Sequence, residues 1–206
     1  MAQTKKLLNP RGYLSHTQID MYLRSPDLYF RRYILGEEQQ ENNAMTFGKE
    51  IADAMEKGES DDPLKDMLTK LFPRRKYQEY EIKVPFKSQH GEVVLLGKID
   101  NFDDDPLGFD DDKTGVQKWT QYRAENHKQL HHYQSLIYLK YGKLAEDIKL
   151  NWAQTTRENG ETELTGHIEV FKIKIALQEV LSYLSVAGRV ALEIDAMYRK
   201  HLKSLT

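Results

Sequence analysis

Between Tyr80 and Lys113 the chain changes period, and this stretch confines the fold more than any other. Tyr80, Ile82, Val84 and Phe86 alternate with Glu79, Glu81, Lys83 and Pro85, the pattern of a half-buried strand. Gln89-His90-Gly91 supplies a turn, and Val93 through Phe102 makes a second, more apolar strand. Asp104-Asp105-Pro106-Leu107-Gly108 is again turn chemistry, followed by a short strand to Lys113. Connections this short join antiparallel neighbours, because parallel strands need a crossover of a dozen residues or more. The three strands therefore form a meander.

Helical signals precede and follow it. Ser15-His16-Thr17-Gln18 is a capping box opening a helix with Ile19, Tyr22 and Leu23 on one side. Ser25-Pro26 starts a second helical stretch, in which Tyr29, Phe30, Tyr33 and Ile34 run to a stop at Gly36. A third helix is expected from about Thr46 to Lys57, and a fourth after Asp62-Pro63. Beyond the meander, Leu130, Tyr133, Ile137, Tyr141 and Leu144 predict one long helix from about Thr120 to Lys143. Ile148, Leu150 and Trp152 alternate as a strand, Asn159-Gly160 is a hairpin turn, and Ile168 to Ile173 form the return strand. Leu177, Leu181, Leu184, Ala187, Ala191, Ile194 and Tyr198 mark a C-terminal amphipathic helix. The expected fold is α/β: a central mixed five-stranded sheet, the meander plus two further strands, flanked by helices. One domain spans 1–206, with an N-terminal helical part (1–72), a core (77–175) and a C-terminal helix (176–206).

Composition narrows the chemistry. The 206 residues, 39% of them hydrophobic, suffice for one core. With no cysteine, a disulfide scaffold, a thiolate zinc site, an iron–sulfur cluster and a Cys nucleophile are excluded. No stretch approaches the roughly 20 apolar residues of a membrane span, and the N-terminus lacks the apolar run of a secretion signal. The expectation is a cytoplasmic protein that does not engage a membrane. A net charge of −2 argues against a globally basic nucleic-acid binder and leaves a local basic track open.

The segment Leu96 to Gly115, LGKIDNFDDDPLGFDDDKTG, carries the chemistry. A turn centred between Asp105 and Pro106 sets Asp100 opposite Asp111 and Lys98 opposite Lys113, all four on one face. Opposed carboxylates repel and call for a proton or a cation between them. A hard divalent ion with oxygen ligands, Mg²⁺ or Mn²⁺, suits that position. Such an ion polarises a phosphoryl group and makes hydroxide available at neutral pH, and an adjacent ammonium stabilises transition-state charge. Phosphodiester hydrolysis is the chemistry this set suggests. The same residues also fit an acidic surface hairpin surrounded by counter-ions, with Asp103–Asp105 and Asp110–Asp112 as solvated turn residues. A one-residue slip would turn Asp111 to the other face.

Other constellations say less. His127 and His131 have the spacing of a helical zinc pair but no adjacent Glu and no evident third ligand, which fits exposed or DNA-facing histidines. Nucleotide-binding glycine loops are absent from the sequence. Tyr29-Phe30-Arg31-Arg32-Tyr33 and Phe72-Pro73-Arg74-Arg75-Lys76-Tyr77 mix basic and aromatic residues, as single-strand channels do, or as a core-facing stripe with solvated arginines does. Trp119 is read as packing against the long helix.

Gly97-Lys98-Ile99-Asp100 followed by Asp111-Asp112-Lys113-Thr114-Gly115 resembles the second and third motifs of the PD-(D/E)XK nucleases. The RecB-like branch, with its small phage and CRISPR-adaptation relatives, adds a Gln-x-x-x-Tyr motif on the next helix, and Gln129-Leu130-His131-His132-Tyr133 matches it. Leu14 to Tyr33 is similar to that branch's N-terminal helical segment, with Ser25-Pro26 where iron–sulfur members carry Cys-Pro. The resemblance covers about residues 13 to 156. It implies a restriction-endonuclease-like core, a Mg²⁺ or Mn²⁺ cofactor without an iron–sulfur cluster, and the set Asp100, Asp111, Lys113, Gln129 and Tyr133. In that set Asp100 and Asp111 bind metal, Lys113 positions the attacking water, Gln129 meets water or phosphate, and Tyr133 meets the backbone. It further implies action on DNA, single-stranded or at duplex ends, in phage or bacterial recombination, replication or repair, together with a partner protein of those processes. The branch's first motif is a helical Gly followed four residues later by a metal-binding His. Phe47-Gly48-Lys49-Glu50-Ile51-Ala52 fits that helix, with Ala52 at the His position. Glu50, Glu56 and Glu81 are the candidate substitutes. The loss of the His also admits a different class, a nuclease fold that binds DNA or a partner protein without cutting, and a third reading is an RNA-directed hydrolase.

Overall fold

The computed structural model describes residues 5–38, 43–57, 59–72, 74–158 and 161–206, apart from the side chains of residues 43–45, 52 and 55. The Asn159-Gly160 turn lies outside the described residues; the strands on either side of it pair as a hairpin.

Helix α1 (His16–Arg24) is capped by Ser15, whose hydroxyl accepts from the Gln18 N–H. Ser25 does the same for Leu28 at the start of α2 (Pro26–Tyr29), which runs into a π-helical turn over Phe30–Ile34. Helices α3 (Asn43–Lys57) and α4 (Pro63–Leu71) follow, α4 capped by Asp62. The meander is β1 (Tyr77–Ser88), β2 (Gly91–Asp104) and β3 (Leu107–Gly115). After it come α5 (Gln121–Glu125), α6 (Lys128–Tyr141), β4 (Asp147–Glu158), β5 (Glu161–Ile173) and α7 (Leu177–Ser204).

The five strands lie in chain order, antiparallel except for β3 beside β4. The α/β architecture with a mixed five-stranded sheet is therefore as the sequence predicts. The parallel step is the one that needs a crossover, and α5 and α6 supply it. The expected single helix over 120–143 is two. Thr120 caps α5, Asn126 ends it, and His127 takes an extended conformation (ψ 108°) before α6 begins.

Helices α6 and α7 cover one face of the sheet, where Leu130, Leu136, Ile137, Val180, Leu184 and Val190 pack with residues of β1 to β5. A smaller cluster, Ile51, Leu68, Phe72, Ala153 and Leu164, joins α3 and α4 to the other face. The alternation of Leu150 and Trp152 with Ala153 between the two clusters shows β4 buried on both sides.

At the turn end of the meander Asp105 is exposed and Asp103 and Asp104 are half-buried, whereas Asp110 and Asp111 are buried and not solvated turn residues. Arg75, almost wholly buried, reaches Asp110 (2.6 Å), Asp147 (2.7 Å) and Asp103 (3.0 Å), tying the ends of β2, β3 and β4 together. Asp112 accepts from Asn101 (2.9 Å) and Asn151 (2.7 Å). Arg75 is thus an internal staple and not part of a basic track. Of the other expected track, Arg31 pairs with Asp27 and Glu37, while Tyr29 is buried.

Removing one member of a buried ion pair leaves an uncompensated charge and typically costs about 3–5 kcal/mol. Arg75→Met is therefore expected to destabilise the chain by about that much in urea unfolding, and adding Asp110→Asn should recover part of the loss. Equal stability of Arg75→Met and the parent would contradict this role.

Candidate active site

The strand β2 changes partners along its length. Its first half is bordered on one side by β1 and on the other by the N-terminal segment, through Leu14 N–H to Val94 O (2.8 Å) and Leu96 N–H to Leu14 O (3.1 Å). Its last four residues pair with β3, from Asp104 opposite Leu107 to Asn101 opposite Asp110. Asp100 and Asp111 come at the next step, where the ladder has stopped and β3 continues with β4 alone. The register from the Asp105–Pro106 turn is as expected, but the facing of Asp100 and Asp111 across a closed ladder is not. In place of a ladder bond, the Asp112 N–H donates to Asp100 Oδ2 (2.8 Å). Directly opposed carboxylates destabilise a pair, so the ladder opens at the step where they would meet.

The other edge of β2 is disturbed at the same level. Gln78 and Tyr80 pair with Asn101 and Ile99, while Glu79 between them does not pair and has φ +50°, unusual for a residue with a Cβ. The kink turns Glu79 toward a cavity of about 170 Å³ that it lines with Glu56, Gly48, Asp100, Asp112 and Lys113. Lys98 does not join Lys113, as the closed hairpin would require. It forms a salt bridge with Glu79.

The Asp111 side chain is fully buried beside Lys113, whose Nζ donates to Oδ1 (2.9 Å) and lies as close to Oδ2 (2.9 Å). Burial, and then repulsion from Asp111, push the Asp100 carboxyl well above the ordinary carboxylate range, against the pull of Lys113. Burial pulls the Lys113 ammonium down, but Asp111 and Asp100 together hold it above its ordinary value. With one ammonium for two buried carboxyl groups, both can ionise only if further positive charge joins them.

Tyr133 and Gln129 stand on α6 above this point. Gln129 Nε2 donates to Tyr133 Oη (2.6 Å), and Tyr133, buried edge-on to Phe109, is pushed well up by burial and by the nearby Asp111 and Asp100. Gly97 lets the helix approach, since a Cβ there would fall 3.2 Å from the Tyr133 ring.

The structure thus brings together Asp100, Asp111, Lys113 and Tyr133, with Gln129 attached to the last. It does not bring in two of the expected acids. Glu50 is exposed and paired with Lys65 on α4 (2.7 Å), and Glu81 is exposed on β1 across from Lys98. Among the candidate substitutes, Glu56 lines the cavity. Ala52 falls within α3, its side chain outside the described residues. Two neighbours were not legible as such: Glu79, whose placement depends on a backbone kink, and His127, which the regular spacing assigned to an exposed helix face. His131 is no zinc partner for it. It is buried, with Nδ1 turned to the His127 carbonyl (3.1 Å). Trp119 is buried as expected, edge-on to His127.

Asp100 and Asp111 fit a divalent cation on two counts. The fully buried Asp111 carboxylate has the Lys113 ammonium 2.9 Å away, and the Asp100 carboxyl beside it, pushed up by burial and by Asp111, holds a proton that a cation can replace. Among the described residues no three histidine or carboxylate groups are already gathered around one point.

No family model matches the chain, and no curated protein does. Among solved structures it is similar to the crystal structure of SSO0001, with a TM-score of 0.50 and 12% identity over 92% of this chain and 77% of that chain. At that identity the likeness shows the fold alone.

A carboxyl whose folded pKa is raised contributes stability below its unfolded value, near pH 4, and that contribution is lost as the pH rises through the folded value. Asp100→Asn removes the ionising group. In EDTA the variant should match the parent near pH 4 and exceed its Tm by at least about 2–4 °C at pH 8, as read by scanning fluorimetry. A difference independent of pH would contradict the crowding of Asp100 by Asp111.

Proposed function

We propose that this chain is a Mg²⁺- or Mn²⁺-dependent deoxyribonuclease of the RecB-like, PD-(D/E)XK kind, hydrolysing phosphodiester bonds in single strands or at duplex ends. The observation that carries the reading is the meeting of Asp111 and Lys113 at the fork where β2 parts from β3, with Asp100 on the other prong. A phage or bacterial role in recombination, replication or repair follows from the resemblance of the motifs.

Asp100 and Asp111 would hold the ion. When bound, a divalent cation supplies Lewis-acid polarisation of the phosphoryl group and lowers the pKa of water at neutral pH. Lys113 keeps its proton, because two carboxylates favour it. Its ammonium can therefore orient an attacking water through that water's lone pair and offset the negative charge that builds on the phosphoryl oxygens. The hydrogen bond from Gln129 fixes the Tyr133 hydroxyl, and the phenol, held protonated by its burial, is a hydrogen-bond donor for a phosphate oxygen. The low-dielectric surroundings strengthen each of these interactions.

End-labelled single- and double-stranded DNA incubated with Mg²⁺, Mn²⁺ or EDTA tests the reading. Cleavage is expected with either metal and not with EDTA, and Lys113→Ala should lower the rate by about 10²–10³ at a temperature where the variant is still folded. Cleavage in EDTA, or an unaffected Lys113→Ala, would contradict the mechanism. DNA binding without cleavage under any metal would instead identify the binding module that Ala52 allows.

A further inference from the structure

Beside Lys113 two buried atoms face each other. One is Asp111 Oδ2, in a side chain with no exposed surface and 2.9 Å from the Lys113 Nζ. The other is His127 Nε2, 3.7 Å away. The separation exceeds the hydrogen-bond range of about 2.7–3.2 Å, so the imidazole does not donate to the carboxylate. His127 Nε2 has no hydrogen-bond partner; an unsatisfied buried polar atom costs about 1–3 kcal/mol, and native structures rarely leave one so.

His127 is held in place by its surroundings. The extended conformation at this residue separates α5 from α6 and turns the ring inward, where Trp119 packs edge-on against it (5.1 Å between centroids). Arg123 stacks over the outer side of Trp119 (4.1 Å). The two nearest other imidazoles are engaged elsewhere: His16 Nδ1 meets Tyr183 Oη (3.3 Å), and His132 lies between the Leu96 carbonyl (2.9 Å) and Tyr183 (3.2 Å).

We propose that His127 is a nitrogen ligand of the divalent cation held by Asp111 and Asp100. The proposal rests on the metal-dependent reading above and names the ligand that stands where α3 offers none. Two ligands each about 2.1 Å from one ion, at tetrahedral or octahedral angles, lie about 3.0–3.4 Å apart. Asp111 Oδ2 and His127 Nε2 need to close by only a few tenths of an ångström. An ion between them gives the imidazole nitrogen the partner it lacks and adds positive charge beside the two aspartates.

The test uses the full chain loaded with Mn²⁺ and examined by pulsed electron paramagnetic resonance. A ¹⁴N coupling of histidine type is expected in the parent, absent in His127→Gln and retained in His16→Gln. Mn²⁺ affinity should fall at least about tenfold in His127→Gln. His127→Asn provides a second substitution should the first fail to fold, and the parent spectrum stands independently of both. Mn²⁺ bound without a ¹⁴N coupling would overturn the assignment of His127 and leave the metal-dependent reading in place. No Mn²⁺ uptake by the parent would remove that reading, and the ligand with it.

Discussion

Two carboxylates cannot be adjacent, buried and both charged unless positive charge stands with them, and Asp100 and Asp111 are placed in that position. Lys113 offsets one of the two charges. The shape of the sheet around them follows from the remainder: the β2/β3 ladder stops one step short of the pair, and the Asp112 N–H turns to Asp100. The vacated edge of β2 is taken up by the N-terminal segment at Leu14. A continuous antiparallel sheet would have been simpler to build. The fork exists because the hairpin carries these side chains at these positions.

The rest of the fold holds the fork still. Arg75 clamps the turn end from below through three aspartates, so that the opening cannot propagate toward Asp104. Gly97 admits α6 close to β2, bringing Tyr133 over the aspartates, and the break at His127 turns a helix that would otherwise pass by the site toward it. On the opposite face Asn101 and Asn151 hold Asp112, the acid between the two site residues in the Asp-x-Lys strand. Arg75, Asn101 and Asn151 each meet a buried or half-buried carboxylate, the arrangement in which buried charge is tolerable.

Much of this was legible in the sequence, and the parts that were not share a cause. Ser15, Ser25 and Asp62 announce helix starts because a side-chain cap is a local interaction, and the structure has all three. The register of the acidic hairpin is also local, fixed by its turn, and holds from Asp104 to Asn101. What failed was whatever depends on departures from regularity. The interruption at His127 is invisible to a period of 3.6, since Leu130 and Tyr133 keep the pattern on either reading. The kink at Glu79 leaves the alternation of Tyr80, Ile82 and Val84 intact while moving one carboxylate into the cavity. Glu50 was a candidate as a helical Glu at the family's first motif and Glu81 as an acid on the polar face of β1, but both side chains are exposed to solvent. Arg75 looked like part of a basic tract because its three acidic partners are 28, 35 and 72 positions away.

Anomalous diffraction from crystals soaked in Mn²⁺, with data collected at the manganese edge, addresses the central claim most directly. A peak is expected at the parting of β2 and β3, within coordination distance of both Asp100 and Asp111, and it should vanish in Asp111→Ala. Well-ordered crystals with no manganese at that point, or with the two carboxylates turned to opposite sides of the sheet, would contradict it.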